Sequence, residues 1–172
     1  RWIGKRAGLG FVVNVALDSR VRPVALSAGH PETVHSHLVD WVRSRTTVHA
    51  SQEFPIVIGS AGHPKDSNLY QATRIPTYLC LSRRPVVASG GAVLVPAACP
   101  EGAGQGPGER RFLEWLSEAG SPDALIERAR RERHPAGVQR AVMVAWALKR
   151  NRIAFVGTKD PGVVRACGFE AF

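Results

Sequence analysis

The period of the hydrophobic positions changes several times along the chain, and each change marks an element. Residues 11–17 (FVVNVAL) are rich in β-branched side chains and residues 21–26 match them across Asp18-Ser19, which predicts a β-hairpin. Over residues 31–45, Val34, Leu38, Trp41 and Val42 follow a helical spacing, with Pro31 suited to the first turn. Residues 54–59 (FPIVIG) read as a short buried strand that runs into a polar loop at 60–65. Asp66 or Ser67 is then expected to cap a helix carrying Leu69, Tyr70 and Ala72, which Pro76 limits or kinks. Residues 85–98 hold two apolar stretches parted by Gly90-Gly91, the second reading as a central strand despite Pro96. A Gly/Pro loop at 100–108 leads to helical patterns at 109–117, 122–133 and 137–150, a last strand at 153–157 and a short terminal helix from Asp160-Pro161. The alternation predicts an α/β fold, a layered α/β domain with a mixed sheet flanked by helices, mixed because its opening strands form a hairpin. Residues 1–172 read as a single domain.

Composition narrows the function classes. An apolar fraction of 44% builds one sizeable core, and no apolar run approaches the ~20 residues of a membrane span. With no secretory pattern at the start, a soluble, cytoplasmic protein without a membrane partner is expected. The chain opens on Arg1 without Met or leader, as a piece of a longer polypeptide would. The net charge of +9 invites a nucleic-acid reading. Yet the densest charged run, residues 109–133, balances six basic against six acidic side chains, and the excess is scattered with few aromatics for base stacking. No nucleic-acid partner is expected. Three distant cysteines, Cys80, Cys99 and Cys167, form neither a disulfide framework nor a Cys-x-x-Cys pair.

Most candidate constellations fail on spacing. Gly102, Gly104, Gly106 and Gly108 lie between a strand and a helix, but Pro107 or Glu109 stands where a dinucleotide fingerprint needs its third glycine. His35 and His37 are two apart and diverge on a helix, so with His30 and His63 they read as ordinary polar side chains and no metal site is expected. Cys99 reads as a small buried residue at a strand end rather than as a reactive thiol. Residues 62–74 (GHPKDSNLYQATR) hold the most concentrated polar text, just beyond the carboxyl end of a buried strand, where ligands of α/β sheets gather. On a helix, Tyr70 and Arg74 are i and i+4 and Gln71 and Arg74 are i and i+3, so a phenol, an amide and a guanidinium share one patch. Such a trio suits a small carboxylate, with the guanidinium forked onto both oxygens and the amide and phenol on a neighbouring hydroxyl or carbonyl.

Several blocks in order then resemble one family: FVVNVALDS at 11–19, AGHPETVH at 28–35, GHPKDSNLYQA at 62–72, GGAVLVPAACPEGAG at 90–104 and IAFVGT at 153–158. They are similar to the carboxy-terminal half of the nickel-dependent lactate racemase family, whose members interconvert stereoisomers of 2-hydroxy acids. The resemblance implies a two-domain isomerase with its active site in the cleft. The amino-terminal domain of the same polypeptide would carry the proton-shuttling histidines and tether a nickel-pincer nucleotide, leaving this part inactive alone and without a cofactor of its own. It also implies that Tyr70, Gln71 and Arg74, with Lys65, bind a small 2-hydroxy acid. Arg74 stands where the family has Lys, and Gln139 falls near a position where some members have Trp; both departures bear on which 2-hydroxy acid is taken. A non-catalytic small-molecule-binding module of the same fold is the alternative, and a basic nucleic-acid-binding domain the remoter one.

Overall fold

The computed structural model describes residues 2–172. The chain divides into two compact units, Arg1–His49 and Ala50–Phe172, where the sequence reading treated it as one domain. In the first, α1 (Trp2–Arg6) precedes the antiparallel pair β1 (Val12–Leu17) and β2 (Pro23–Gly29), and α2 (Pro31–Thr46) packs on both strands with Val34 and Leu38 buried. The hairpin turn is held by Asp18, whose Oδ1 accepts the backbone N–H of Arg20 at 2.8 Å and of Arg22 at 2.9 Å. Pro31 occupies the first turn of α2, where a missing N–H costs nothing.

The second unit is a four-stranded, all-parallel sheet in the order β3 (Phe54–Ile58), β4 (Val87–Pro96), β5 (Arg152–Val156) and β6 (Glu170–Ala171). The α/β class with flanking helices stands, but the antiparallel and parallel strands belong to two sheets rather than one mixed sheet. The hairpin pairs only with itself. α3 (Leu69–Ala72) and α4 (Arg74–Leu81) connect β3 to β4; α5 (Pro107–Glu118), α6 (Pro122–Arg131) and α7 (Val138–Arg150) connect β4 to β5; α8 (Pro161–Ala166) leads to β6. Crossovers of one hand in a sheet of sequential order lay their helices on one face, and α4, α5 and α6 each pack on α7. The core forms where Val93, Val95, Ile153 and Phe155 of the sheet meet Phe112, Leu125, Val138 and Val144 of the helices. Side chains on the alternate positions, among them Ile56, Ile58 and Val156, are exposed.

The two apolar stretches parted by Gly90-Gly91 are one strand. A register break opposite Phe54–Ile56 accommodates the glycines, and a Cβ on Gly91 would fall 2.6 Å from the Pro55 carbonyl oxygen, so only glycine fits. Asn151 Nδ2 donates to the carbonyls of Ala88 at 2.6 Å and Gly91 at 3.3 Å, on either side of the Gly90-Gly91 pair. Pro96 ends the strand. Among the described residues no helix is long and apolar enough to cross a membrane.

Candidate functional site

The polar segment that leaves β3 is held by the loop that leaves β4. Ser60 Oγ donates to the Pro96 carbonyl at 3.0 Å. Beyond it, the Cys99 and Glu101 N–H groups donate to the carbonyls of Asp66 and Ser67 at 2.9 and 3.0 Å, and the Leu69 N–H donates to the Gly102 carbonyl at 2.8 Å. The glycine-rich loop thus spends its backbone on residues 66–69, which is the work its flexibility serves here. Gly102 and Gly104 have φ of 61° and 112°, a region that costs other residues strain. Glu109 folds back over Gly104, its Oε2 accepting the Gly106 N–H at 2.7 Å.

The helix cap is Asn68, one or two residues beyond the expected Asp66 or Ser67. Its Oδ1 accepts the Gln71 N–H at 3.0 Å, which satisfies one of the orphan donors of the first turn. Its Nδ2 donates to Glu101 at 3.1 Å and Glu109 at 3.5 Å, so one buried side chain ties the start of α3 to the glycine loop and to α5. The helix then breaks at Thr73, whose hydroxyl donates to the Tyr70 carbonyl at 2.8 Å. Pro76 lies in the first turn of α4, where it is tolerated, and the break falls ahead of it.

That geometry joins two of the four expected site residues. Arg74 Nε donates to Gln71 Oε1 at 2.9 Å across the α3–α4 break. Tyr70 turns inward: its ring meets Phe112 edge-on at 5.4 Å and lies 6.0 Å from the Arg140 guanidinium carbon. Lys65 sits exposed in the preceding turn, with no side-chain partner among the described residues. Three further groups were not anticipated. Tyr78, one turn beyond Arg74, receives its Nη1 at 3.5 Å. Arg140 reaches in from α7 to donate to Thr77 Oγ1 at 3.2 Å. The Arg74 guanidinium, by hydrogen bond, and secondarily that of Arg140 hold the Tyr78 phenol below its ordinary pKa, since both favour the phenolate. The i+4 spacing of Arg74 and Tyr78 was a usable signal, whereas Arg140 is 63 residues from Thr77 and no local pattern announces it.

The other candidates have simpler roles. His30 occupies the N-cap position of α2 and His37 Nδ1 lies 3.2 Å from Ser27 Oγ. No group of three or more His, Cys, Asp or Glu capable of holding a metal occurs among the described residues. Cys99 is buried, and burial, followed by the charge of Asp66, pushes its thiol up to about 11, so it is no nucleophile. Gln139 is exposed and its Oε1 accepts the Gly137 N–H at 2.8 Å at the start of α7.

No family model matches the chain. It is 30% identical over 127 residues to the lactate racemase of Thermoanaerobacterium thermosaccharolyticum, a match that takes in 74% of this chain and 28% of that protein. To the lactate racemase of Lactiplantibacillus plantarum it is 27% identical over 128 residues, again 74% of this chain and 28% of the relative. The solved structure of the lactate racemase apoprotein from T. thermosaccharolyticum matches with a TM-score of 0.86 and 26% identity, over 99% of this chain and 40% of that one. The matched stretch therefore spans under a third of the length of the curated relatives, and the whole chain about two-fifths of the solved apoprotein. Agreement in sequence over three-quarters of its length and in backbone over nearly all of it makes this chain a domain of the lactate racemase family.

Proposed function

We propose that this domain binds and orients the carboxylate of a lactate-like 2-hydroxy acid for a racemase or epimerase, through Arg74 and Gln71. The observation that carries the reading is the 2.9 Å hydrogen bond from Arg74 Nε to Gln71 Oε1. A guanidinium can fork onto a carboxylate through Nε and one Nη, or through both Nη groups. With Nε committed to Gln71, the end-on fork remains, and its direction is set by a side chain on the neighbouring helix. Gln71, having spent its oxygen on Arg74, keeps two amide N–H donors for a hydroxyl or keto oxygen on C2. A substrate held at C1 and at the C2 oxygen has its C2 substituents fixed, which inversion at that carbon requires. Tyr70, packed edge-on against Phe112, precedes Gln71 on the same short helix, and Lys65 is an exposed positive charge earlier in the same polar segment.

The nickel-pincer nucleotide implied by the resemblance finds no donor set in the described residues, which offer no cluster of metal-ligating side chains. In this reading the cofactor and the proton-transfer groups would be held by an amino-terminal domain of the same polypeptide, and this domain's residues bind and orient the acid. The test is chiral analysis of lactate and other 2-hydroxy acids incubated with that polypeptide after nickel loading. Loss of optical purity is expected. Charge-assisted hydrogen bonds contribute about 1.5–3 kcal/mol, so Arg74→Ala is expected to lower kcat/KM by roughly 10- to 150-fold. Binding without racemisation by the loaded protein would instead favour a non-catalytic binding module.

A further inference from the structure

Two guanidiniums lie close to one phenol in this domain, Arg74 bonded to Tyr78 and Arg140 to the adjacent Thr77, and neither has an acidic partner among the described residues. Arg74 comes from α4 and Arg140 from α7; both act on Tyr78, and no carboxylate forms an ion pair with either among the described residues. Arg140 is the less satisfied of the two. One Nη donates to Thr77 Oγ1, while its Nε is buried without a hydrogen-bond partner. Thr77 Oγ1 itself donates to the Thr73 carbonyl at 2.9 Å, so the contact anchors Arg140 without neutralising it. Tyr78 is exposed, but a guanidinium N–H buried without a partner, as Arg140 Nε is, is costly unless an anion or another acceptor joins it. Gln71 holds Arg74 Nε, and the Arg140 guanidinium, anchored on Thr77 next to Tyr78, offers a second set of cationic donors.

We propose that the substrate of this site is a dianionic 2-hydroxy acid, with its C1 carboxylate on Arg74 and a second carboxylate on Arg140. The proposal rests on the reading of Gln71 and Arg74 as the carboxylate site and specifies the acid that they take. The Tyr78 hydroxyl, already within 3.5 Å of Arg74 Nη1, donates to an oxygen of the bound acid. A lactate methyl group, by contrast, would leave Arg140 desolvated and unpaired, which disfavours it.

The experiment compares malate with lactate, by calorimetric binding to the 172-residue chain and by racemisation in the nickel-loaded polypeptide that contains it. Malate is expected to be favoured by about tenfold or more in kcat/KM, the scale of one added charge-assisted pair. Arg140→Gln is expected to reduce that preference by about tenfold, and Arg140→Lys to retain most of it, because the charge survives. Equal or better use of lactate overturns the inference while leaving the racemase reading intact, as does an unchanged malate-to-lactate ratio in Arg140→Gln. Failure to bind or racemise either acid overturns both. Circular dichroism of each variant separates loss of the second carboxylate site from loss of the fold.

Discussion

Arg74 can be turned in only a few ways, and Gln71 selects among them. If the amide sets the direction of the fork, Gln71→Ala should retain the charge and lose its aim, raising KM and lowering kcat together. Arg74→Lys keeps the charge but removes the Nε donor that reaches Gln71, so it should resemble Gln71→Ala more than Arg74→Ala. A lysine variant as impaired as alanine would remove the Gln71 contact from the argument. The phenol nearby gives a second handle, because Tyr70 and Tyr78 are the only tyrosines in the chain. Absorbance titration should show one of them ionising below the ordinary range, and Arg74→Gln should return that transition upward. These placements were partly legible in the sequence. The spacing of Tyr70, Gln71 and Arg74 put their side chains on one patch, but it could not show that Tyr70 turns toward Phe112, a residue 42 positions away whose packing is set by the tertiary fold.

Elements are fixed by interactions that local patterns show only in part. The helix after β3 was expected from its apolar spacing, yet its cap lies at Asn68 because the glycine loop takes up the carbonyls of Asp66 and Ser67. Both cap and loop can be tested by denaturant unfolding. Asn68→Ala removes the N-cap acceptor and should cost about 1–2 kcal/mol. Gly104→Ala should cost more than Gly102→Ala, although both positions have positive φ. A Cβ on Gly102 meets nothing within 4 Å, whereas one on Gly104 falls 2.5 Å from Glu109 Cδ and 2.8 Å from its Cβ. Strain alone costs about 1 kcal/mol or slightly more at each, and displacing Glu109 also releases the Gly106 N–H and weakens the tie to Asn68. Equal losses at the two glycines would show that Glu109 contributes no rigidity.

At the scale of the whole molecule, the class was readable because strands and helices alternate, whereas the partition into sheets was not. Nothing in the composition of residues 12–17 says whether that strand joins the parallel sheet or stays with its hairpin partner, since pairing is decided by tertiary geometry. The core itself carries a chemical signature that reports on global unfolding. Cys80, Cys99 and Cys167 are all buried and unpaired. Burial holds their thiols protonated up to about 11, about 11 and about 12, against an ordinary value of 9.0. Unfolded, they ionise near 9.0 and the unfolded state gains that free energy. Their contribution is therefore fully present below pH 9 and is lost as the pH rises through the folded values. Tyr78 acts oppositely, its lowered pKa adding stability as the phenol ionises, but it is one exposed group against three buried ones. Denaturation midpoints should accordingly fall as the pH rises above 9, and the fall should shrink when Cys80, Cys99 and Cys167 are replaced together by alanine. A thiol reagent at pH 8 should label none of the three until the chain unfolds, so its rate reports opening of the core. Rapid labelling of Cys99 in the folded protein would mean that the glycine loop opens without the rest, which would also release Asp66 and the start of the helix that carries Gln71.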